Sequence, residues 1–295
     1  HRPRQRRQRL FVLLADDGRT FVDKTLTTHG DLLEGFFRGV DLVLERAGIG
    51  PAAVNDVVVH ATTVVTNALI ERKGPPAGLI LTRGFTDILY IRDEHRYDMY
   101  DPQIEFAEPL IPRERTFALS ERVLADGTVE KAAREDEIAA IARNCREMGI
   151  SSVAVSLINA YRNGVNEALV AKVFAREAPE IFISLSSEIA PQMREYLRTS
   201  TVAINAYTVP ITRPYLNALI AELERRGFSQ QPLIMLSNGG GIGAGRAGPL
   251  PVPVGESGPA AGAPAARTAA RAAALNAPPA PTVSATLTGV AATNR

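Results

Sequence analysis

The 295-residue sequence has a single cysteine, Cys145, which excludes an intrachain disulfide and makes a reducing cytoplasm the expected compartment. Its four histidines, His1, His29, His60 and His95, are too scattered for metal-ligand spacing, so no metal site is expected from them. No apolar run approaches the roughly 18 residues that a membrane span requires. Charge of one sign is also lacking: 33 Lys and Arg stand against 32 Asp and Glu, a net charge of +1, with 45% apolar residues. This is the composition of a globular chain long enough for one large or two ordinary domains.

The balance is uneven along the chain. Residues 1–9 hold five arginines and no acid, residues 267–295 hold three arginines and no acid, and the body from 10 to 266 carries −7. An acidic body is a poor nucleic-acid surface, because phosphate binding needs clustered Lys and Arg. The first segment has no apolar h-region and does not read as a signal peptide. A solvated basic tail over 1–10 is expected, with a nucleic-acid or membrane-surface arm as the alternative. The last segment contains ten Ala, five Thr and three Pro without an aromatic, too little large apolar surface to repay ordering. Residues 267–295 are expected to be largely disordered.

Within the body, two apolar runs around Asp16, Asp17 and Gly18 predict a β-hairpin. Asp31 and Glu34 form a capping-box-like pair before Leu33, Phe36, Phe37, Val40 and Leu44, which predict a helix that Gly48 stops. A strand over 56–60, a helix over 62–72 and a strand over 77–82 follow. This alternation argues for an α/β sheet with ligands at the strand-to-helix turns on its carboxyl edge. The Pro-rich stretch within 92–130 reads as an excursion or hairpin. A second, smaller α/β unit is expected beyond it: a helix burying Ile138, Ile141, Cys145 and Met148, a strand over 152–158, a helix over 164–177 and a strand over 181–186. Two helices, 192–207 and 212–226, are expected to be interrupted by Pro210 and Pro214, before a strand enters the glycine-rich turn at 237–241.

Two segments carry candidate ligand groups. His60, Thr62, Thr63, Thr66 and Asn67 offer hydroxyls, an amide and helix N-terminal N–H groups where a strand meets a helix. The structural alternative is that Thr62 or Thr63 only caps the helix and that His60 is a satisfied strand-end residue. Ser237, Asn238, Gly239 and Gly240 follow a strand and can bring backbone close to a ligand, or can simply form a tight turn. Gly243, Gly245 and Gly248 match G-x-G-x-x-G, but PLPVPV follows where the dinucleotide motif needs a helix, which argues against NAD. Ser257–Gly262 is read as the start of a small-residue helix, with Ser257 as its cap. Arg92–Asp101 is read as a solvated charged loop, with substrate contact as the alternative.

HATTVVTNALIERKG (60–74), LTRGFTDIL (81–89), EPLIPR (108–113), INAYTVP (204–210), LSNGG and SGPAAG, in this order, resemble the hydantoinase A/5-oxoprolinase family over about residues 11–266. The resemblance implies a ribonuclease-H-like fold of the actin, sugar-kinase and Hsp70 ATPase type. It also implies a hydrolase that uses ATP and Mg²⁺ to open cyclic amides such as 5-oxoproline or hydantoins, working with a hydantoinase B-type subunit. A related role is as the ATP-binding or assembly subunit of a ketone carboxylase. By similarity, Thr62, Thr63, Thr66, Asn67, Asn238, Gly239 and Gly240 face the substrate or nucleotide cleft, and no catalytic residue is assigned.

The family's Asp-x-Gly-Gly-Thr phosphate loop, expected before Phe11, and a second loop expected after SGPAAG are absent from this sequence. The resemblance therefore implies an N-terminal-type domain over 11–190 lacking its first strand, and a truncated core domain over 191–266. The Phe11 hairpin is expected to have no inner neighbour, leaving exposed edges. A fragment inactive on its own is the expectation.

Overall fold

The computed structural model describes residues 8–15, 17–26, 32–54, 58–93, 98–101, 103–238, 240–252 and 285–292. In chain order the strands and helices are β1 (Gln8–Ala15), β2 (Thr20–Leu26), α1 (Leu32–Ala47), β3 (Val58–Ala61), α2 (Val64–Glu71), β4 (Ala77–Thr82), α3 (Ile88–Ile91), β5 (Thr116–Leu119), β6 (Arg122–Val123), β7 (Val129–Lys131), α4 (Glu135–Glu147), β8 (Ser152–Ser156), α5 (Val165–Glu177), β9 (Phe182–Leu185), α6 (Ser186–Ile189), α7 (Glu195–Arg225), β10 (Leu233–Met235), β11 (Gly241–Gly243), α8 (Ala244–Ala247) and β12 (Ala285–Ala292). They form two compact units, residues 1–67 with 212–295 and residues 68–211. The first unit is discontinuous in the chain and the second is one continuous segment.

The first unit is built on a six-stranded mixed sheet, order β11-β10-β3-β12-β1-β2. Its opening hairpin forms as the Asp-Gly signal predicts: Gly18 sits at φ 83°, the Gly18 N–H donates to the Ala15 carbonyl, and Asp17 Oδ1 accepts from the Arg19 N–H. Helix α1 ends at Gly48, φ 69°, a left-handed position that favours glycine. The α1 residues Phe36, Phe37, Val40, Val43 and Leu44 are buried together with Phe11 and Leu13 of β1 and with Leu216, Leu219 and Leu223 of α7. Phe11 requires Gly39 beneath it, since a Cβ there would overlap the Phe11 ring. Asp31, the expected cap of this helix, lies outside the described residues.

Two expectations are corrected here. Strand β12 pairs antiparallel with all of β1 and parallel with β3, so residues 285–292 are ordered into the centre of the sheet. The inner edge of the Phe11 hairpin is thereby filled. The physical reason is that β1 and β3 present backbone N–H and C=O groups that require partners, and any extended segment can supply them whatever its side chains. Composition alone could not register that demand. Residues 1–7, 267–284 and 293–295 and the expected helix at Ser257–Gly262 lie outside the described residues.

The second unit holds a wholly parallel sheet, order β5-β4-β8-β9, and a separate two-stranded ribbon, β6-β7. Helices α4 and α5 cover one face with Ile138, Ile141, Cys145, Val170, Val173 and Phe174, while the other face packs Leu79 and Leu81 against Val202, Ala203, Ala206 and Tyr207 of α7. Ile138, Ile141 and Cys145 are buried as the helical spacing predicts; Met148, one residue past α4, is 44% exposed. The 92–130 stretch does contain a hairpin, β6-β7 around Gly127 at φ 92°, and also β5, an edge strand that the sequence reading did not resolve.

Pro210 and Pro214 do not divide the last helix pair. A single helix, α7, runs from Glu195 to Arg225 through both prolines. Each proline lacks the N–H that would bond four residues back, but apolar burial on both sides holds the helical path: Val202, Ala203, Ala206 and Tyr207 before, Leu216, Leu219 and Leu223 after. The boundary between the compact units, Ile211/Thr212, falls between the two prolines.

Candidate functional site

In the first unit, the parallel pairing of β10 with β3 sets Ile234 opposite His60. The paired strands end close by, β3 at Ala61 and β10 at Met235, so Thr62 and Thr63 and the 236–240 turn follow the carboxyl ends of adjacent parallel strands. Two segments about 170 residues apart in sequence thus leave the sheet from the carboxyl ends of neighbouring parallel strands, where α/β folds bind ligands.

The β3–α2 turn is ordered by its own side chains. Thr62 is buried and its Oγ1 accepts the Val64 N–H at 3.3 Å, so the capping role expected for one of the threonines falls to Thr62. Thr63 Oγ1 accepts from Asn67 Nδ2 at 3.1 Å, and the Asn67 N–H donates to the Thr63 carbonyl at 2.8 Å. Thr63, Thr66 and Asn67 are half-buried. In the facing turn, Gly240 N–H donates to Asn238 Oδ1 at 2.9 Å and the Leu236 N–H donates to the Gly240 carbonyl at 2.7 Å; Ser237, Asn238 and Gly240 are exposed, and Gly239 lies outside the described residues.

His60 does not reach the surface of this site. It is buried, its ring stands edge-on to Phe36 at 4.9 Å, and its Nε2 shares a 2.9 Å hydrogen bond with the Tyr215 hydroxyl. Tyr215 was not legible as a site residue: on a helix rich in apolar positions it reads as core. The resulting surface offers hydroxyls, carboxamides and backbone groups without a formal charge. It can hydrogen-bond a carbonyl or phosphate oxygen, which fits the phosphates of a nucleotide or a cyclic amide. Among its described residues there is no carboxylate to ligate Mg²⁺ and no titratable base; the hydroxyl of exposed Ser237 has no such base beside it.

Titratable groups gather elsewhere, inside the second unit. Glu167 is fully buried and accepts four hydrogen bonds, from Leu157 N–H, Ser186 Oγ, Ser187 N–H and Ser187 Oγ, at 2.6 to 2.9 Å. Fully buried Arg198 donates to Ser186 Oγ and to the carbonyls of Gln192 and Leu157, and pairs with Glu195. Buried Glu121 accepts from Thr82 Oγ1 and from Asn166 Nδ2. Burial pushes both Glu121 and Glu167 above the usual carboxylate range, against the opposing pull of these donors. No sequence signal marked this network, because charged residues on helices and turns ordinarily face water. Of the 92–101 loop, Asp93 and residues 98–101 are exposed, with Met99 and Tyr100 at 73% and 93%, while 94–97 lie outside the described residues.

The hydantoinase/oxoprolinase N-terminal region model matches residues 11–178, and the hydantoinase/oxoprolinase model matches residues 198–277. The chain is 32% identical to the caprolactamase alpha subunit of Pseudomonas jessenii over 78% of its own length and 34% of that protein. Among solved structures it is similar to the ATP-dependent caprolactamase of the same organism, with a TM-score of 0.74 and 30% identity over 84% of this chain and 37% of that one. It also matches nucleotide-free acetone carboxylase, with a TM-score of 0.77 and 24% identity over 90% and 39%. The chain thus spans about a third of the length of these relatives. The fold is that of the actin-like ATPases, and the chain belongs to the hydantoinase/oxoprolinase family.

Proposed function

We propose that this chain carries one wall of the cleft of an ATP-dependent enzyme that opens cyclic amides. The observation that supports the reading is the parallel pairing of β3 with β10, after whose carboxyl ends come Thr62, Thr63, Thr66 and Asn67 on one side and Ser237, Asn238 and Gly240 on the other. Amide resonance makes a lactam or hydantoin bond inert to acid/base chemistry alone. ATP supplies the driving force: its γ-phosphoryl group passes to the amide oxygen and ADP leaves, water adds to the carbon, the ring C–N bond breaks with its electrons and a proton going to nitrogen to leave an acyl phosphate, and a second water adds to that carbonyl to release phosphate and the carboxylate. The residues of this wall orient the amide or phosphate oxygens by neutral hydrogen bonds. The general base and the groups that cradle the phosphates are not among them, and no step is assigned to Mg²⁺.

The purified chain is expected to hydrolyse no ATP by itself, since the residues of this wall include neither a general base nor the groups that cradle the phosphates. A partner subunit is part of the proposal, supported by the alpha-subunit designation of the caprolactamase relative. Amide hydrogen exchange tests the site directly. Adding ATP with 5-oxoproline, a hydantoin or caprolactam should slow exchange at 62–67 and 237–240; protection confined to other segments would refute the assignment, and ATP turnover by the chain alone would refute its inactivity.

A further inference from the structure

Strand β12 occupies one of the two central positions of the six-stranded sheet, between β1 and β3. Eight residue pairs join it to β1 and four join it to β3. Its sequence, ATLTGVAA, nevertheless contains only two large apolar residues, Leu287 and Val290, whereas the paired part of β1 reads LFVLL. The register sets Thr288 opposite Val12 and Thr286 opposite Leu14, so two threonines stand where β-branched apolar residues would pair best. Position 289 differs. Gly289 is the register partner of both Phe11 and His60, whose rings both contact Phe36, at 5.7 and 4.9 Å.

Residues 253–284 separate this strand from Val252. A connection of 32 residues holds its ends at an effective concentration in roughly the millimolar range. A competing strand at ten micromolar therefore starts about a hundredfold behind, and each additional buried isoleucine recovers about tenfold or more. Two such residues close the gap.

We propose that the β1/β3 slot is a strand-acceptor site, which binds an extended segment of a partner chain by displacing residues 285–292. The fitting segment runs antiparallel to β1, keeps glycine at the position paired with Phe11 and His60, and carries β-branched apolar residues opposite Val12 and Leu14. Main-chain hydrogen bonds supply its affinity and the alternate side chains its selectivity. The inference stands apart from the nucleotide reading.

The test uses the full 295-residue chain and a fluorescein-labelled peptide of residues 285–292 carrying Thr286→Ile and Thr288→Ile. Fluorescence anisotropy should show saturable micromolar binding, at least tenfold weaker for the unsubstituted peptide. A lock tests the position: Leu10→Cys with Val290→Cys, bridged by a short bismaleimide, should abolish peptide binding, with Leu14→Cys and Thr286→Cys as a second lock if the first impairs folding. Native Cys145 is buried, with its thiol pushed up to about 12, and stays outside the reaction. Absence of saturable binding, or undiminished binding to both locked chains, would overturn the proposal.

Discussion

The Tyr215 hydroxyl and His60 Nε2 lie 2.9 Å apart, tying the carboxyl end of β3 to the second half of α7. Tyr215→Phe removes this bond and leaves a buried ring nitrogen without that partner. The loss should be about 1–2 kcal/mol, read as a lower urea midpoint for the first unit, with faster amide exchange at 60–64. An unchanged midpoint would show that the pair contributes nothing to holding the turn.

Gly39 and Phe11 make a steric prediction. A methyl group at Gly39 overlaps the Phe11 ring, so Gly39→Ala should destabilise by about 1–3 kcal/mol despite alanine's better helix propensity. Adding Phe11→Leu, which vacates part of that space, should recover stability relative to Gly39→Ala alone. A double-mutant cycle by thermal melting measures the coupling.

Glu121 sets a pH dependence. Its carboxyl is raised by burial, with Glu167 nearby adding to the effect and Arg122 opposing it, so the folded state holds this proton more tightly than the unfolded chain does. Stability from this group is present at low pH and is lost as pH rises through the raised folded value. Glu121→Gln abolishes that titration. The stability of wild type relative to Glu121→Gln should therefore fall between pH 5 and pH 8 in paired urea melts; a difference that rises with pH would refute the sign.

Prolines inside α7 predict a gain on removal. Pro210→Ala restores a backbone N–H facing the Ala206 carbonyl and should raise stability by about 1–3 kcal/mol, less about 0.4–1 kcal/mol for the freer unfolded chain. Pro214→Ala should act in the same direction. A drop in melting temperature for both would show that the helix is built around a proline bend.

What the sequence made legible was local. The Asp17-Gly18 hairpin, the aromatic face of α1 and its stop at Gly48, and the apolar strands β4 and β8 each follow from residues within one or two turns of one another. β5 was missed because its four residues, TFAL, follow a Pro-rich charged stretch and owe their strand state to β4 alongside. Continuity of α7 was missed because the proline rule is local while the packing that overrides it is not. For the candidate site, both halves could be named, but their placement after adjacent strands depends on the β3–β10 pairing, a long-range relation that no spacing discloses. Tyr215, Glu121 and Glu167 gave no signal, since what distinguishes them is burial.

Strand β12 also bears on how the first unit is made. Phe11 and Gly289 are sheet neighbours although nearly the whole polypeptide lies between them, so this unit has a central strand whose pairing spans a sequence separation close to the maximum the chain allows. Loop-closure entropy is lost before that pairing returns any stability, which places its assembly among slow folding reactions. On a ribosome, the β1–β2 hairpin and α1 emerge long before residues 285–292. Until then the nascent chain presents two strand edges, and it is in this interval that chaperones or neighbouring chains meet them.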